Sequence, residues 1–260
     1  MNGFEGRIVE IRRYPVKSML GERLESALVG EHGVEGDRRY GVKDLGRDTI
    51  LSAKREPALF GCSARYDAAG AVTVTLPDGE AMTPGPRLDA ALTELIERPV
   101  ALVAAADHPR ARLQGEIDLE TGGDPSEWDA PPETFFDASA LHFLTTSSLA
   151  AARALHPGGD FDPRRFRPNF VVDVAGAEGF VEEGLIGHEV SIGAVTVRVT
   201  KPCSRCVMTT HEQAGLSRDP AILRTVARGN ANNLGVRAEV VRGGRVEVGD
   251  PVGLAPLTRR

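Results

Sequence analysis

Short runs in which apolar and polar residues alternate constrain this chain most. Residues 71–76 read A-V-T-V-T-L, residues 7–11 read R-I-V-E-I, and residues 188–200 read H-E-V-S-I-G-A-V-T-V-R-V-T. A period of two puts every second side chain on one face, so each run predicts a strand with one buried face. Residues 23–29, 38–42, 60–66, 100–106 and 169–174 extend the series, and Pro77-Asp78-Gly79 marks a turn. The 188–200 run predicts two strands around Gly193, and residues 235–248 predict a closing hairpin around Gly243-Gly244. Helix spacing is confined to three stretches. These are residues 88–98, stopped by Pro99, residues 147–155, with Ser or Thr at the cap, and residues 219–228, with Asp219 at the cap and Pro220 in the first turn. Many short strands and few helices predict a mainly β (β-rich α+β) chain, barrel-like with peripheral helices, and not a doubly wound sheet.

Composition narrows the function classes. A net charge of −6 and 5% aromatic residues exclude the basic, stacking surfaces of nucleic-acid binders. No apolar run approaches a membrane span, and M-N-G-F-E-G-R-I-V-E-I carries no basic segment followed by an apolar one. A cytoplasmic location with reduced thiols is therefore expected. Residues 107–133, rich in His, Pro, Gly and acidic residues without a period, read as a long loop between two β-rich parts. Trp128, the only tryptophan, lies in that loop and reads as a packing anchor, with substrate contact as the alternative. There is no internal repeat.

The stretch K-P-C-S-R-C-V-M-T-T, residues 201–210, holds two of the three cysteines. A structural zinc site needs four ligands, but only Cys62 remains and the six histidines show no paired spacing. A thioredoxin-like pair opens a helix, whereas residues 207–210 read as extended. Two inert buried thiols are the plain alternative. Against that, Lys201 and Arg205 bracket the pair, and nearby cations favour the reactive thiolate. Pro202 also stiffens the strand end that delivers it. This combination suits a held soft metal or an activated sulfur.

The cysteine stretch resembles the motif of MOSC domains, the fold shared by the C-terminal part of molybdenum-cofactor sulfurases. Further stretches follow in the order those proteins show: Y-P-V-K-S-M at residues 14–19, G-D-R-R-Y at 36–40, L-S-A-K-R-E-P at 51–57, R-F-R-P-N at 165–169 and V-E-V-G-D-P-V at 246–252. The resemblance runs over nearly the whole chain and is to the amidoxime-reducing members and their bacterial counterparts. It implies an N-terminal MOSC β-barrel domain over residues 1–106, a connecting loop over 107–134 and a MOSC domain over 135–260.

It further implies a molybdenum cofactor, a pyranopterin dithiolene of the sulfite-oxidase-like type with one protein cysteine on the metal. That ligand and catalytic centre is placed on Cys206, with Cys203 as its neighbour. Lys17, Ser18, Arg38 and Arg167 are expected to bind the phosphate or the pterin edge, and Asn169 to satisfy pterin amide groups. Thr145 and Ser148 fall where the family contributes contacts, although a helix cap explains them equally well. Ser204 and Arg205 join the set by adjacency. The implied activity is two-electron reduction of N-hydroxylated compounds such as amidoximes or hydroxylamines. Electrons are expected from a separate reductase or ferredoxin, because the chain ends at P-L-T-R-R with no further Cys. His142 or His211 is a candidate proton relay. One departure is Arg237, where relatives often carry an aromatic residue. The rival readings are a sulfur carrier working through a cysteine persulfide and a non-catalytic cofactor carrier.

Overall fold

The computed structural model describes residues 4–115 and 127–255. Its centre is a closed barrel of seven strands, so the mainly β expectation holds. In order around the barrel these are Phe170–Asp173, Leu141–Thr145, Asn233–Arg242, Val195–Ser204, Glu189–Ile192, Pro251–Leu254 and Glu5–Arg13. The last of these pairs antiparallel with Phe170–Asp173 and closes the ring. Closure leaves the barrel without an unpaired edge. The first strand of the chain is thus a stave of a barrel otherwise built from its second half. Its register shifts between Ile8 and Glu10, which turns both Ile8 and Ile11 inward despite their spacing of three. They pack with Val197, Val199, Val236, Phe143 and Phe170 in the barrel core.

A second body covers one side of the barrel. Its five-stranded sheet runs Val100–Ala104, Tyr40–Asp44, Thr49–Ile50, Arg112–Gln114 and Glu127–Asp129. A three-stranded sheet, Ser63–Tyr66, Val72–Thr75 and Ala81–Met82, packs beside it under helix α1 (Pro86–Ile96). Leu88, Leu92 and Ile96 of α1 are buried at helical spacing, and Pro99 follows its end as expected.

Several expectations are corrected. Residues 57–61 form a 3-10 turn (Pro57–Gly61), so the strand expected over 60–66 is only Ser63–Tyr66. The 23–29 run splits into Glu22–Leu24, which pairs with the end of Glu5–Arg13, and Ser26–Gly30. The expected long loop contains Arg112–Gln114 and Glu127–Asp129, which pair with each other and carry Trp128 opposite Leu113. Residues 116–126 of that loop lie outside the described residues. The 235–248 hairpin does not form. Gly244–Glu247 pairs instead with Ser26–Gly30, an approach so close at Gly243 that a Cβ there would stand 2.5 Å from the Val29 carbonyl. Proximity in sequence lost to a distant partner with a free edge.

Three helices flank the barrel: α2 (Thr146–Leu155), α3 (Pro163–Phe166) and α4 (Pro220–Gly229). The Thr145 hydroxyl accepts from the Ser148 amide at 3.1 Å and caps α2, and the Asp219 carboxylate accepts from the Ala221 amide at 2.8 Å and caps α4. Among the described residues no helix is long and apolar enough to cross a membrane.

Candidate functional site

The cysteine pair sits where the Val195–Ser204 strand leaves the barrel. Against Asn233–Arg242 its register shifts between Val199 and Lys201 and again between Pro202 and Ser204. Bulges on either side of Pro202 re-aim successive side chains, which is how a strand end presents residues to a rim. Cys203 is buried and Cys206 is half-buried. Residues 207–210, expected as extended, form a 3-10 turn (Val207–Thr210). The Cys206 carbonyl accepts from the Thr209 amide at 3.1 Å and from its hydroxyl at 3.0 Å. Arg165 braces this turn from α3. Fully buried, it donates to the carbonyls of Asp160, Thr209, His211 and Ser217 at 2.9, 3.4, 3.1 and 2.7 Å. Five fixed donors on one planar group can tie several loops together at once.

The facing wall comes from residues 14–19, 36–40 and 165–169. Ser18, Arg38 and Arg167 all adopt left-handed backbone, with φ of 68°, 52° and 56°. Such backbone is unfavourable for non-glycine residues and gathers at sites where the surrounding structure enforces it. The enforcing contacts are visible. The Ser18 hydroxyl accepts from the Ala53 amide at 3.0 Å, and the Arg38 amide donates to the Tyr14 carbonyl at 2.7 Å. Arg167 donates to the Met19 carbonyl at 2.6 Å. Both guanidinium groups lie over the Tyr14 ring, at 5.0 Å for Arg38 and 4.2 Å for Arg167. Burial, and then the neighbouring Arg38, push Arg167 down to about 10. Buried Lys17 donates to the Phe135 carbonyl at 2.9 Å and pairs with Asp137. Burial would raise the Asp137 carboxyl, but Lys17 and then Lys54 hold it well below its ordinary range.

Between these walls lies a cleft of about 540 Å³. Lys17, Ser18, Arg38, Arg167, Asn169, Cys203, Ser204, Arg205 and Cys206 all line it. It also takes in Lys54, Trp128, Phe136, Asp137, His142, Arg165, Met208 and Arg237. Lys17, Arg38, Lys54, Arg165, Arg167, Arg205 and Arg237 make seven cationic side chains against the single carboxylate of Asp137. In a chain of net charge −6, that concentration points to an anionic ligand.

The thiol end has its own charge pattern. Arg205 donates to the Cys203 sulfur at 2.8 Å and to the Phe166 carbonyl at 2.7 Å. Burial alone raises the Cys203 thiol, but Arg205, then His142, and also Arg237 outweigh it and hold the thiol well below its usual value. Lys201, expected to bracket the thiols, is exposed and does not line the cleft. The register shifts on either side of it break the alternation that would otherwise place it on the face of Cys203, and Arg237, from the neighbouring strand, and His142, from the strand beyond, take its place. Cys62 is fully buried elsewhere, and burial pushes its thiol up to about 11.

Thr145 and Ser148 are brought together, but not here. Both are fully buried and donate to the Glu182 carboxylate, at 2.7 and 2.5 Å, in a cluster that does not line the cleft. The helix-cap explanation is the one the geometry supports. His211 packs 6.2 Å from the Phe60 ring and also stands outside the lining. Asn169 lines the cleft with its side chain already engaged. Its oxygen accepts from the His142 amide at 3.1 Å and its nitrogen donates to the Arg12 carbonyl at 3.4 Å. Asp137, Lys54 and Phe136 were not legible as site residues, since no local pattern marks them.

Four cleft residues hold a buried polar atom with no partner among the described residues: Arg167 Nη2, Arg205 Nε, His142 Nε2 and Trp128 Nε1. Buried donors are rarely left unpaired, so their convergence on one cationic cleft fits a large polar anion that supplies acceptors. A phosphorylated pterin carrying a sulfur-bound metal has that character, and the donor set here fits it.

Comparison with known proteins agrees with this architecture. Residues 5–114 match the MOSC N-terminal beta barrel domain and residues 130–253 match the MOSC domain. The YuaD protein of Bacillus subtilis shares the fold at a TM-score of 0.53 and 9% identity, over 97% of each chain. YiiM from Geobacillus stearothermophilus aligns at a TM-score of 0.36 and 18% identity, over 45% of this chain and 55% of that one. YiiM from Escherichia coli aligns at 0.35 and 17%, over 47% and 57%. No curated protein matches the chain. MOSC domains are associated with binding of the molybdenum cofactor. The chain therefore belongs to the MOSC family, as a MOSC-domain protein with an N-terminal MOSC β-barrel domain.

Proposed function

We propose that this protein holds a molybdenum cofactor in the cleft and reduces N-hydroxylated compounds such as amidoximes and hydroxylamines. The observation that carries the reading is the cleft itself. Seven cationic side chains and one carboxylate line it, four of its residues hold a buried polar atom without a partner, and a half-buried cysteine stands at one end. Lys17, Ser18, Arg38 and Arg167 would hold the phosphate and pterin, and Cys206 would supply the protein thiolate to the metal. Cys206 is favoured over Cys203 because it is the more open of the two and begins a turn that Arg165 holds rigid. The bound group would supply two-electron redox chemistry at a metal held by soft sulfur ligands.

The chain's own residues do the rest. Asn169 ties the 165–169 wall to two barrel strands, Arg205 compensates the charge on Cys203, and Trp128, Phe136 and Met208 give the cleft an apolar side. Electrons would come from a separate reductase or ferredoxin. Three cysteines, one of them Cys62 in the core, are too few for a four-cysteine iron–sulfur cluster within these residues.

Metal and pterin analysis of protein from a cofactor-competent host tests the reading. Stoichiometric molybdenum in the wild type, lost in Cys206→Ala and kept in Cys203→Ser, supports it. No molybdenum in the wild type refutes it, and loss in Cys203→Ser moves the ligand to the other sulfur. Turnover of benzamidoxime with an artificial donor then separates an enzyme from a carrier. The stabilised Cys203 thiolate favours a second reading, sulfur transfer through a persulfide. Cyanide-releasable sulfur on Cys203 in metal-free protein is its signature.

A further inference from the structure

The thiol end of the cleft carries binding capacity that the facing wall does not use. Arg237 projects from the Asn233–Arg242 strand, paired in register with His142, and both line the cleft. The Arg237 side chain makes no hydrogen bond or ion pair among the described residues, and only its backbone carbonyl is engaged, by the Thr200 hydroxyl at 3.2 Å. No carboxylate is left to pair with it in the cleft, because Asp137 is taken by Lys17 and Lys54. Arg205, the other cation beside Cys203, is committed to the Cys203 sulfur and the Phe166 carbonyl. Beside Arg237, His142 Nε2 is buried without a partner. Gly235 makes room for that imidazole, since a Cβ there would stand 2.5 Å from Nε2. Lys17, Arg38 and Arg167 form a separate group around Tyr14 and Asp137. Both groups face the Cys203 thiol, which they help to lower, but the guanidinium makes no hydrogen bond or ion pair and Nε2 of the ring has no hydrogen-bond partner, so these two paired residues form a two-point receptor for an oxyanion.

We propose that Arg237 and His142 form a carboxylate-binding subsite, so that the cleft prefers substrates bearing a carboxylate over neutral analogues of the same shape. This deepens the reading of the cleft as a substrate-converting site and rests on it for calling the bound molecule a substrate. A planar guanidinium meets a carboxylate through two parallel hydrogen bonds, and the charge-assisted pair corresponds to an affinity gain of about 10- to 100-fold.

Trp128 is the chain's one tryptophan and lines the same cleft, so its fluorescence reports occupancy directly. Protein from the cofactor-competent host is titrated with benzamidoxime and with 4-carboxybenzamidoxime, and its molybdenum content is measured in parallel. The wild type is expected to bind the carboxylated probe about 10- to 100-fold more tightly, and Arg237→Gln to bring the two within about 3-fold at unchanged molybdenum content. Arg237→Lys, which keeps the charge and loses the fork, is expected to retain part of the preference. Equal affinities in the wild type, or a full preference in Arg237→Gln, overturn the subsite. Loss of molybdenum in Arg237→Gln also overturns it, by making Arg237 a cofactor anchor. A carboxylate preference that depends on Arg237 in protein without molybdenum upholds the subsite and removes the cofactor reading.

Discussion

Gly235 and Gly70 offer a matched test of the cleft's close packing. Both have φ of 82°, but a Cβ at Gly70 meets nothing within 4 Å, whereas at Gly235 it meets His142 Nε2 at 2.5 Å, the Phe143 carbonyl oxygen at 2.8 Å and Leu144 Cβ at 3.0 Å. Gly70→Ala therefore reports the conformational cost alone, about 1 kcal/mol for an L-residue in left-handed backbone. Gly235→Ala adds a collision. The imidazole can swing away, but the Phe143 carbonyl belongs to a barrel strand paired on both sides and cannot. Overpacking of this kind adds about 1–3 kcal/mol, so Gly235→Ala should cost about 2–4 kcal/mol in all. For a domain of this size that lowers the melting temperature by roughly 4–16 °C, against roughly 2–4 °C for Gly70→Ala. Urea unfolding followed by circular dichroism gives both numbers on one scale. If Gly235→Ala is no more destabilising than Gly70→Ala, the close approach of the two strands behind His142 is wrong, and with it the reason His142 is held at the thiol end.

Two further outcomes follow from buried polar groups outside the cleft lining or at its edge. Burial raises the Glu182 carboxyl above its ordinary 4.5, although Ser148 and Thr145 donate to it. The raised value means that Glu182's contribution to stability is fully present below 4.5 and is lost as pH rises through the folded-state value. Glu182→Gln, neutral at every pH, should therefore gain stability relative to the wild type as pH rises from about 4 to about 8, read from paired denaturation curves; a constant difference refutes this. Arg165→Lys should cost about 2–4 kcal/mol, because a point charge cannot serve four carbonyls and leaves buried acceptors unmet. A neutral effect there would mean that the turn after Cys206 does not depend on Arg165.

Much of the architecture was legible because it is local. The alternation at residues 7–11, 71–76 and 188–200 marks strands that form, and Asp219 and Thr145 cap helices where capping chemistry places them. Most of the expected cofactor set converges on the cleft as well, although that expectation came from a resemblance and not from periodicity. What stayed hidden is non-local. Glu5–Arg13 closes a barrel made mostly by residues after 140, and Gly244–Glu247 leaves its neighbour for Ser26–Gly30. Periodicity says which face of a strand is buried and does not say which strand lies beside it.

By itself, then, the sequence determined that this is a strand-built chain with a thiol pair at the end of one strand, because side-chain period and capping chemistry act over a few residues. The tertiary structure alone decided what surrounds those thiols. Asp137, Lys54, His142 and Arg237 are far apart in sequence or silent in it, and Ser18, Arg38 and Arg167 take a backbone conformation that their residue types disfavour. Only the packing of two bodies around one cleft makes such backbone necessary and brings these charges to face one space.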